Sequence, residues 1–115
     1  MKIGIIGQGY VGSAIKLGFQ DYYDVFTYDK FDLGKSTHSK ISDIVEEASV
    51  IFVCVPTPMR KDGTCYTGIV EEVIREINET ATDHIVVIKS TIPPGTTDRI
   101  NQEYTHSTVI FNPEF

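Results

Sequence analysis

The chain is short of positive charge, of cysteine and of long apolar runs. Its 115 residues carry 16 acidic and 10 basic side chains, a formal net charge of −6. A nucleic-acid partner needs a basic footprint, and this balance argues against one. It also supplies no long-range attraction for an anionic ligand, so a phosphate would have to be held by local backbone donors or a few placed cations. Of the two cysteines, Cys54 sits in an apolar run and Cys65 in a turn. Neither has a Cys or His at metal-ligand spacing, so no metal site is expected. Two cysteines without a secretory signal fit a reducing cytosol, and a cytoplasmic location is the expectation. The apolar start is broken at once by Gly4, Gly7 and Gly9, which is unlike a signal peptide. The longest apolar run, Val50 to Val55, is far too short to span a bilayer, so no membrane partner is expected. No internal repeat, low-complexity segment or second-domain boundary interrupts residues 1–115, which read as one domain.

What is present is an alternation of two kinds of segment. Lys2–Gly7, Tyr23–Asp29, Val50–Val55, His84–Lys89 and Ser107–Phe111 are short, β-branched or aromatic, and largely unalternating. Such runs predict strands buried on both faces. Helical patterns lie between them. Val11, Ala14, Ile15 and Gly18 share one helical face, as do Ile41, Ile44, Val45 and Ala48, with Asp43 and Glu46 resembling a capping box. From Tyr66 to Glu79 an apolar stripe of Ile69, Val70, Val73, Ile74 and Ile77 opposes Glu71, Glu72, Arg75, Glu76 and Glu79, which are expected to face water. A last helix starts at Pro94 or Gly95 and runs to Gln102 or Glu103. Lys30 to Lys40 is polar, patternless and expected to be a loop. The order βαβαβαβαβ implies an α/β fold: a doubly wound, Rossmann-type parallel sheet with right-handed crossovers, in three layers.

Gly7-Gln8-Gly9-Tyr10-Val11-Gly12 is a G-x-G-x-x-G that follows the first strand and opens the first helix. In that setting it is a dinucleotide phosphate loop. Gly7 permits the tight turn, Gly9 leaves room for a pyrophosphate, and Gly12 lets helix and strand pack closely. Unpaired N–H groups at the helix start, Tyr10 and Val11 among them, then hold the anion. Asp29 ends the second strand 22 residues after Gly7, near the offset of a ribose-binding acid. A carboxylate there accepts from ribose hydroxyls and repels a 2′-phosphate, which favours NAD over NADP. Lys30 and Lys35 temper that preference, since a cation could take the extra phosphate.

Three further stretches, "VIFVCVPTPM" (Val50–Met59), "VIKSTIPPGTT" (Val87–Thr97) and "FNPEF" (Phe111–Phe115), each begin in or follow a predicted strand. With the glycine loop they resemble the amino-terminal domain of the UDP-glucose/GDP-mannose 6-dehydrogenase family, across essentially the whole chain. The resemblance implies NAD-dependent oxidation of C6 of a nucleotide sugar from alcohol to carboxylate, with two NAD molecules and a cysteine-bound intermediate. By the same resemblance, Val55, Pro56 and Thr57 pass beside the cofactor together with Lys30, Ser90 and Thr91. Thr91 lies near the nicotinamide and the catalytic water, and Glu114 is an active-site acid. In an open parallel sheet Pro56 and Thr57, Ser90 and Thr91, and Asn112 to Glu114 all follow predicted strands and so share one ligand-binding edge with the glycine loop. Thr57 and Thr91 could instead be helix caps, and Pro56, Pro58, Pro93 and Pro94 plain turn formers.

The chain departs from the family pattern in two ways. Lys30 to Lys40 is shorter than the usual segment, and the nucleophilic cysteine with its partners and the sugar-nucleotide domain lie beyond Phe115. Cys54, inside a strand, is expected to be a buried structural cysteine, and Cys65 incidental. His38, His84 and His106 read as surface or strand-end residues, and Lys89 as a snorkelling strand-end lysine or a phosphate contact. The expected function is therefore the NAD-binding part of a nucleotide-sugar dehydrogenase, catalytically incomplete alone. Its partner would be a nucleotide sugar once the catalytic half is supplied. An uncovered apolar face would favour a homo-oligomer. A stand-alone NAD-sensing module and another hydroxyacid dehydrogenase are the alternatives. V-P-T-P, K-S-T-I-P-P-G and N-P-E-F weigh against both.

Overall fold

The computed structural model describes residues 1–80, 84–93, 95–103 and 107–112. Five strands, β1 (Lys2–Ile6), β2 (Asp24–Tyr28), β3 (Val50–Val53), β4 (His84–Ile88) and β5 (Ser107–Phe111), form one sheet in the order β2-β1-β3-β4-β5. Every pairing is parallel. Helices α1 (Tyr10–Phe19), α2 (Ile41–Glu47), α3 (Gly68–Thr80) and α4 (Thr96–Glu103) connect them in turn. The expected doubly wound α/β architecture is what forms.

The connection from β1 to β2 runs one way along the sheet and all later connections run the other. With right-handed crossovers, α1 lies on one face and α2, α3 and α4 on the opposite one. The core confirms this division. Ile6, Ile51, Val53, Val86, Ile88 and Val109 pack in one cluster with residues of α2, α3 and α4, including Ile44, Val70, Ile74, Ile77 and Ile100. On the other face Phe19 of α1 stacks on Phe52 of β3, with ring centroids 5.9 Å apart. That helix does not reach further along the sheet. Ile85 and Ile110, on the same face, stay 45% and 47% exposed.

Several local expectations are revised. Helix α1 buries Gly12 and half-buries Val11, Ile15 and Phe19, while Ala14 and Gly18 face outward. The contacting stripe follows i, i+4, i+8 along the one face turned to the sheet, ending where Phe19 meets Phe52 of β3. Helix α2 begins at Ile41 with Lys40 as its N-cap and no side-chain cap, so Asp43 and Glu46 form no capping box. Ile41 is a buried core residue, and its burial fixes the helix start ahead of Asp43. Asp43 sits in the first turn, where it still complements the helix dipole. Helix α3 starts at Gly68 rather than Tyr66. Tyr66 belongs instead to a hairpin in which Met59 and Cys65 bridge antiparallel and the Arg60 guanidinium lies 5.2 Å from the Tyr66 ring centre. Its turn is Asp62-Gly63, with Gly63 at φ +90°, a pair that marks hairpins in sequence.

Residues 30–40 are not a featureless loop. They contain a 3-10 turn at Leu33–Lys35 and then run beside the free edge of β2. Thr27 N–H donates to Thr37 Oγ1 (2.8 Å), Thr37 N–H to the Thr27 carbonyl (2.9 Å), and Asp29 N–H to Ser36 Oγ (2.8 Å). The fully buried Thr27 hydroxyl donates to the Lys35 carbonyl (2.8 Å). The outer edge of β5 is met similarly: the Asn101 amide accepts from Val109 N–H and donates to its carbonyl, both at 2.9 Å. Both edge strands thus have part of their open hydrogen-bonding row satisfied.

Gly4 is where α2 reaches the sheet. A Cβ built there would stand 2.5 Å from Ile44 Cγ2 and 3.4 Å from Ala48 Cβ, and Ile44 is fully buried. Gly4→Ala should therefore lower unfolding free energy by about 1–3 kcal/mol, the usual cost of overpacking, as read from a denaturant midpoint with unchanged m-value.

Candidate cofactor site

The strand order reverses between β1 and β3, where the chain leaves β1 in one direction and returns to β3 in the other. Ligands of open parallel sheets bind at such a switch point, outside the carboxyl ends of the strands. A cleft of about 650 Å³ opens there. Gly7, Gly9, Tyr10 and Val11 line it from the β1–α1 turn, Asp29 and Lys30 from the end of β2, and Val55 and Pro56 from the end of β3.

The three glycines of the turn have different physical reasons. Gly7 has φ +100°, and a Cβ there would meet the Cys54 carbonyl oxygen at 2.6 Å. A Cβ on Gly12 would collide with the Gly7 carbonyl. Both positions are glycine because the protein's own backbone fills the space. Gly9 is different. Its φ is −71°, which any residue adopts, and a Cβ there would meet nothing within 4 Å. Folding gives no steric reason for a glycine at this exposed position. The open space lies at the N-terminus of α1, where no side chain caps the helix and no acidic residue occupies the first turn. The positive end of the helix dipole is therefore left for an external anion. This is the cradle a pyrophosphate needs.

Asp29 is fixed from three sides. Its Oδ2 accepts from Gln8 N–H (2.7 Å), and its Oδ1 from Phe31 N–H (2.8 Å) and Asp32 N–H (3.1 Å). A carboxylate offers roughly four acceptor positions, so capacity remains for a ribose hydroxyl. The first bond also ties the glycine turn to the end of β2, so phosphate cradle and ribose acid are set at a fixed separation. The tools of a dinucleotide site are thus present and preorganised, and they fit NAD.

The sequence profile described as "UDP-glucose/GDP-mannose dehydrogenase family, NAD binding domain" matches residues 27–115. The chain belongs to this family. UDP-glucose 6-dehydrogenase of Rhizobium meliloti is 31% identical over an alignment that takes in the whole chain and 35% of the relative. GDP-mannose dehydrogenase from Pseudomonas aeruginosa, solved as a ternary complex, superposes with a TM-score of 0.84 at 27% identity, over 100% of this chain and 36% of that one. UDP-glucose dehydrogenase from Pyrobaculum islandicum gives 0.82 at 27% identity, over 99% and 36%. The chain therefore spans about a third of the length of the relatives it matches. It is a nucleotide-sugar dehydrogenase family NAD-binding domain, and NAD is its cofactor. The Rhizobium alignment runs to 153 positions, longer than the chain itself, so the relative carries segments absent here.

The remaining sequence-derived site residues divide. Thr57 is half-buried and Thr91 exposed beyond the end of β4, and neither begins a helix. Their carbonyls lie 4.0 and 3.5 Å from Cys65 Sγ. The loops after β3 and β4 thus meet above the sheet edge, with the hairpin cysteine between them. Ser90 is buried, and its hydroxyl donates to the Val55 carbonyl (2.6 Å), so it joins the ends of β3 and β4. Asn112 follows β5 and its N–H donates to the Ile88 carbonyl (3.0 Å). Glu114 lies outside the described residues. The cleft lining includes residues that pattern reading assigned to solvent, Glu72 and Glu76 of α3, together with Ile69, Val73 and Phe31. Periodicity alone could not separate a water-facing helical position from one that faces a ligand.

Cys54 borders the cleft just past β3, and burial pushes its thiol up to about 12, partly opposed by the charge of Lys89. It is a neutral thiol at physiological pH and no nucleophile. The His84 ring sits 2.7 Å from the Val45 carbonyl, and His38 packs edge-on to Phe26. Both are structural contacts. Among the described residues no group of three His, Cys, Asp or Glu could hold a metal ion, and no helix is long and apolar enough to cross a membrane.

Two outcomes follow. Gly9→Ala should shift the melting temperature by no more than a few degrees, as surface changes do, yet weaken NAD binding at least about tenfold, the equivalent of ~1.4 kcal/mol. Calorimetry beside a thermal melt checks both. Alkylation at pH 8 followed by peptide mass mapping should leave Cys54 unmodified until denaturant is added.

Proposed function

We propose that this chain is the cofactor-holding unit of an enzyme that oxidises the C6 alcohol of a nucleotide sugar of the UDP-glucose or GDP-mannose class. The observation that carries the reading is the free space at Gly9: a cradle at a helix N-terminus, 2.7 Å bonding from its turn to Asp29, and no internal steric reason for the glycine. The relatives named above, which act on such sugars by their names, support the substrate class.

Bound NAD supplies a hydride acceptor. The residues of this chain supply its placement. The turn Gly9–Gly12 takes the pyrophosphate and Asp29 the adenosine ribose. Tyr10, Val11, Lys30, Val55 and Pro56 line the cleft between them, and Thr57 and Thr91, on the loops after β3 and β4, are assigned to the nicotinamide end. Ser90 acts through structure, holding the β3 and β4 ends together. Thr91 is assigned to position the water or hydroxyl at the reacting carbon, and Glu114 to share in that proton handling, as a carboxylate and a hydroxyl can. These 115 residues bind NAD and complete no turnover by themselves.

Calorimetry with NAD and NADP tests the assignment. NAD should bind more tightly, and Asp29→Asn should weaken NAD by about tenfold or more, the scale of a hydrogen bond to a charged group, while weakening NADP less. Tighter binding of NADP by the unaltered chain would sink the role given to Asp29. Conversion of UDP-glucose by the 115-residue chain would sink the claim of incompleteness.

A further inference from the structure

We infer that the cleft selects its base through Glu72 and Glu76, which accept from the exocyclic 6-amino group of adenine and disfavour a 6-oxopurine. This rests on the cofactor reading above and adds a specificity to it. Past Asp29 the cleft continues between two walls. One is the segment after β2, where Phe31 is 72% exposed and its N–H is held by the Asp29 carboxylate. The Phe31 backbone is thereby anchored beside the Asp29 carboxylate, and its ring is an exposed apolar surface at which a base can stack. The other wall is α3. Ile69 and Val73 give it an apolar surface, and Glu72 and Glu76, one turn apart, put two carboxylates on the same side.

The carboxylates on this helix are not equivalent. Glu71 is engaged by Arg99 (2.6 Å) and by the Thr67 hydroxyl (2.8 Å), which hold its carboxyl below the usual range. The carboxylates of Glu72 and Glu76 have no hydrogen-bond or ion-pair partner among the described residues, and both border the cleft. An ionised carboxylate only accepts. The 6-position of adenine is an N–H donor, whereas hypoxanthine presents a carbonyl oxygen there, which two carboxylates would repel. Discrimination of this kind is large where a site is built around one donor and the analogue replaces it with an acceptor.

The test compares NAD with nicotinamide hypoxanthine dinucleotide by calorimetry, on the unaltered chain and on the double variant Glu72→Gln/Glu76→Gln. A glutamine amide can accept from an amine or, turned over, donate to a carbonyl. The unaltered chain should prefer NAD by about tenfold or more, the scale of one charged hydrogen bond. The double variant should bind NAD more weakly, because a neutral amide replaces each charged acceptor, bind the hypoxanthine form more tightly, and narrow the preference to under about threefold. Equal binding of the two dinucleotides by the unaltered chain, or a preference that survives the double substitution, overturns the inference and leaves the cofactor reading standing. Failure of the unaltered chain to bind NAD overturns both.

Discussion

There is no room for a methyl group where β1, β3 and α1 converge. The Gly7 backbone runs against the Cys54 carbonyl on one side and the first turn of α1 on the other. That close approach depends on two glycines, and the rest of the site follows from it. Because the turn is tight, α1 begins directly above the carboxyl end of the sheet. Because α1 begins there, its uncapped N–H groups face the switch point of the strand order. The Gln8 N–H, at the crest of the same turn, then reaches Asp29 on the neighbouring strand. An anion site and a hydroxyl-binding acid are set in register by backbone geometry, without any excess of positive charge in the chain.

This explains how a chain of net charge −6 holds a doubly charged pyrophosphate. A fixed dipole and oriented donors act over a few ångströms, where the global charge of the protein is screened beyond about 8–10 Å. Asp29, Asp32, Glu72 and Glu76 border one cleft with Lys30 and Lys35.

Much of this was legible in the sequence, for identifiable reasons. Buried parallel strands announce themselves as unalternating β-branched runs, and β5 falls on the residues its pattern marks. The glycine triplet and Asp29 were readable because their spacing, between a strand and a helix and at the end of the next strand, is visible in the sequence. What the sequence hid depends on tertiary contact. Nothing local says that Gly4 lies beneath Ile44, that Thr27 is buried because residues 35–37 fold back over it, or that the Asn101 amide meets an edge strand. Glu71, Glu72 and Glu76 look alike in a helical pattern, yet one is in an ion pair and two line the cleft. The glycine loop also shows how structure divides a motif: Gly7 and Gly12 are required by the fold, while Gly9 meets no steric demand from the chain itself.

The most direct test is a titration of ¹⁵N-labelled protein with NAD, followed by amide chemical shifts. The largest movements should fall at Gly9, Tyr10, Val11 and Gly12, with a second group from Asp29 to Lys35. Binding of NAD that moves other amides and leaves the Gly9–Gly12 turn unperturbed would contradict the pyrophosphate assignment.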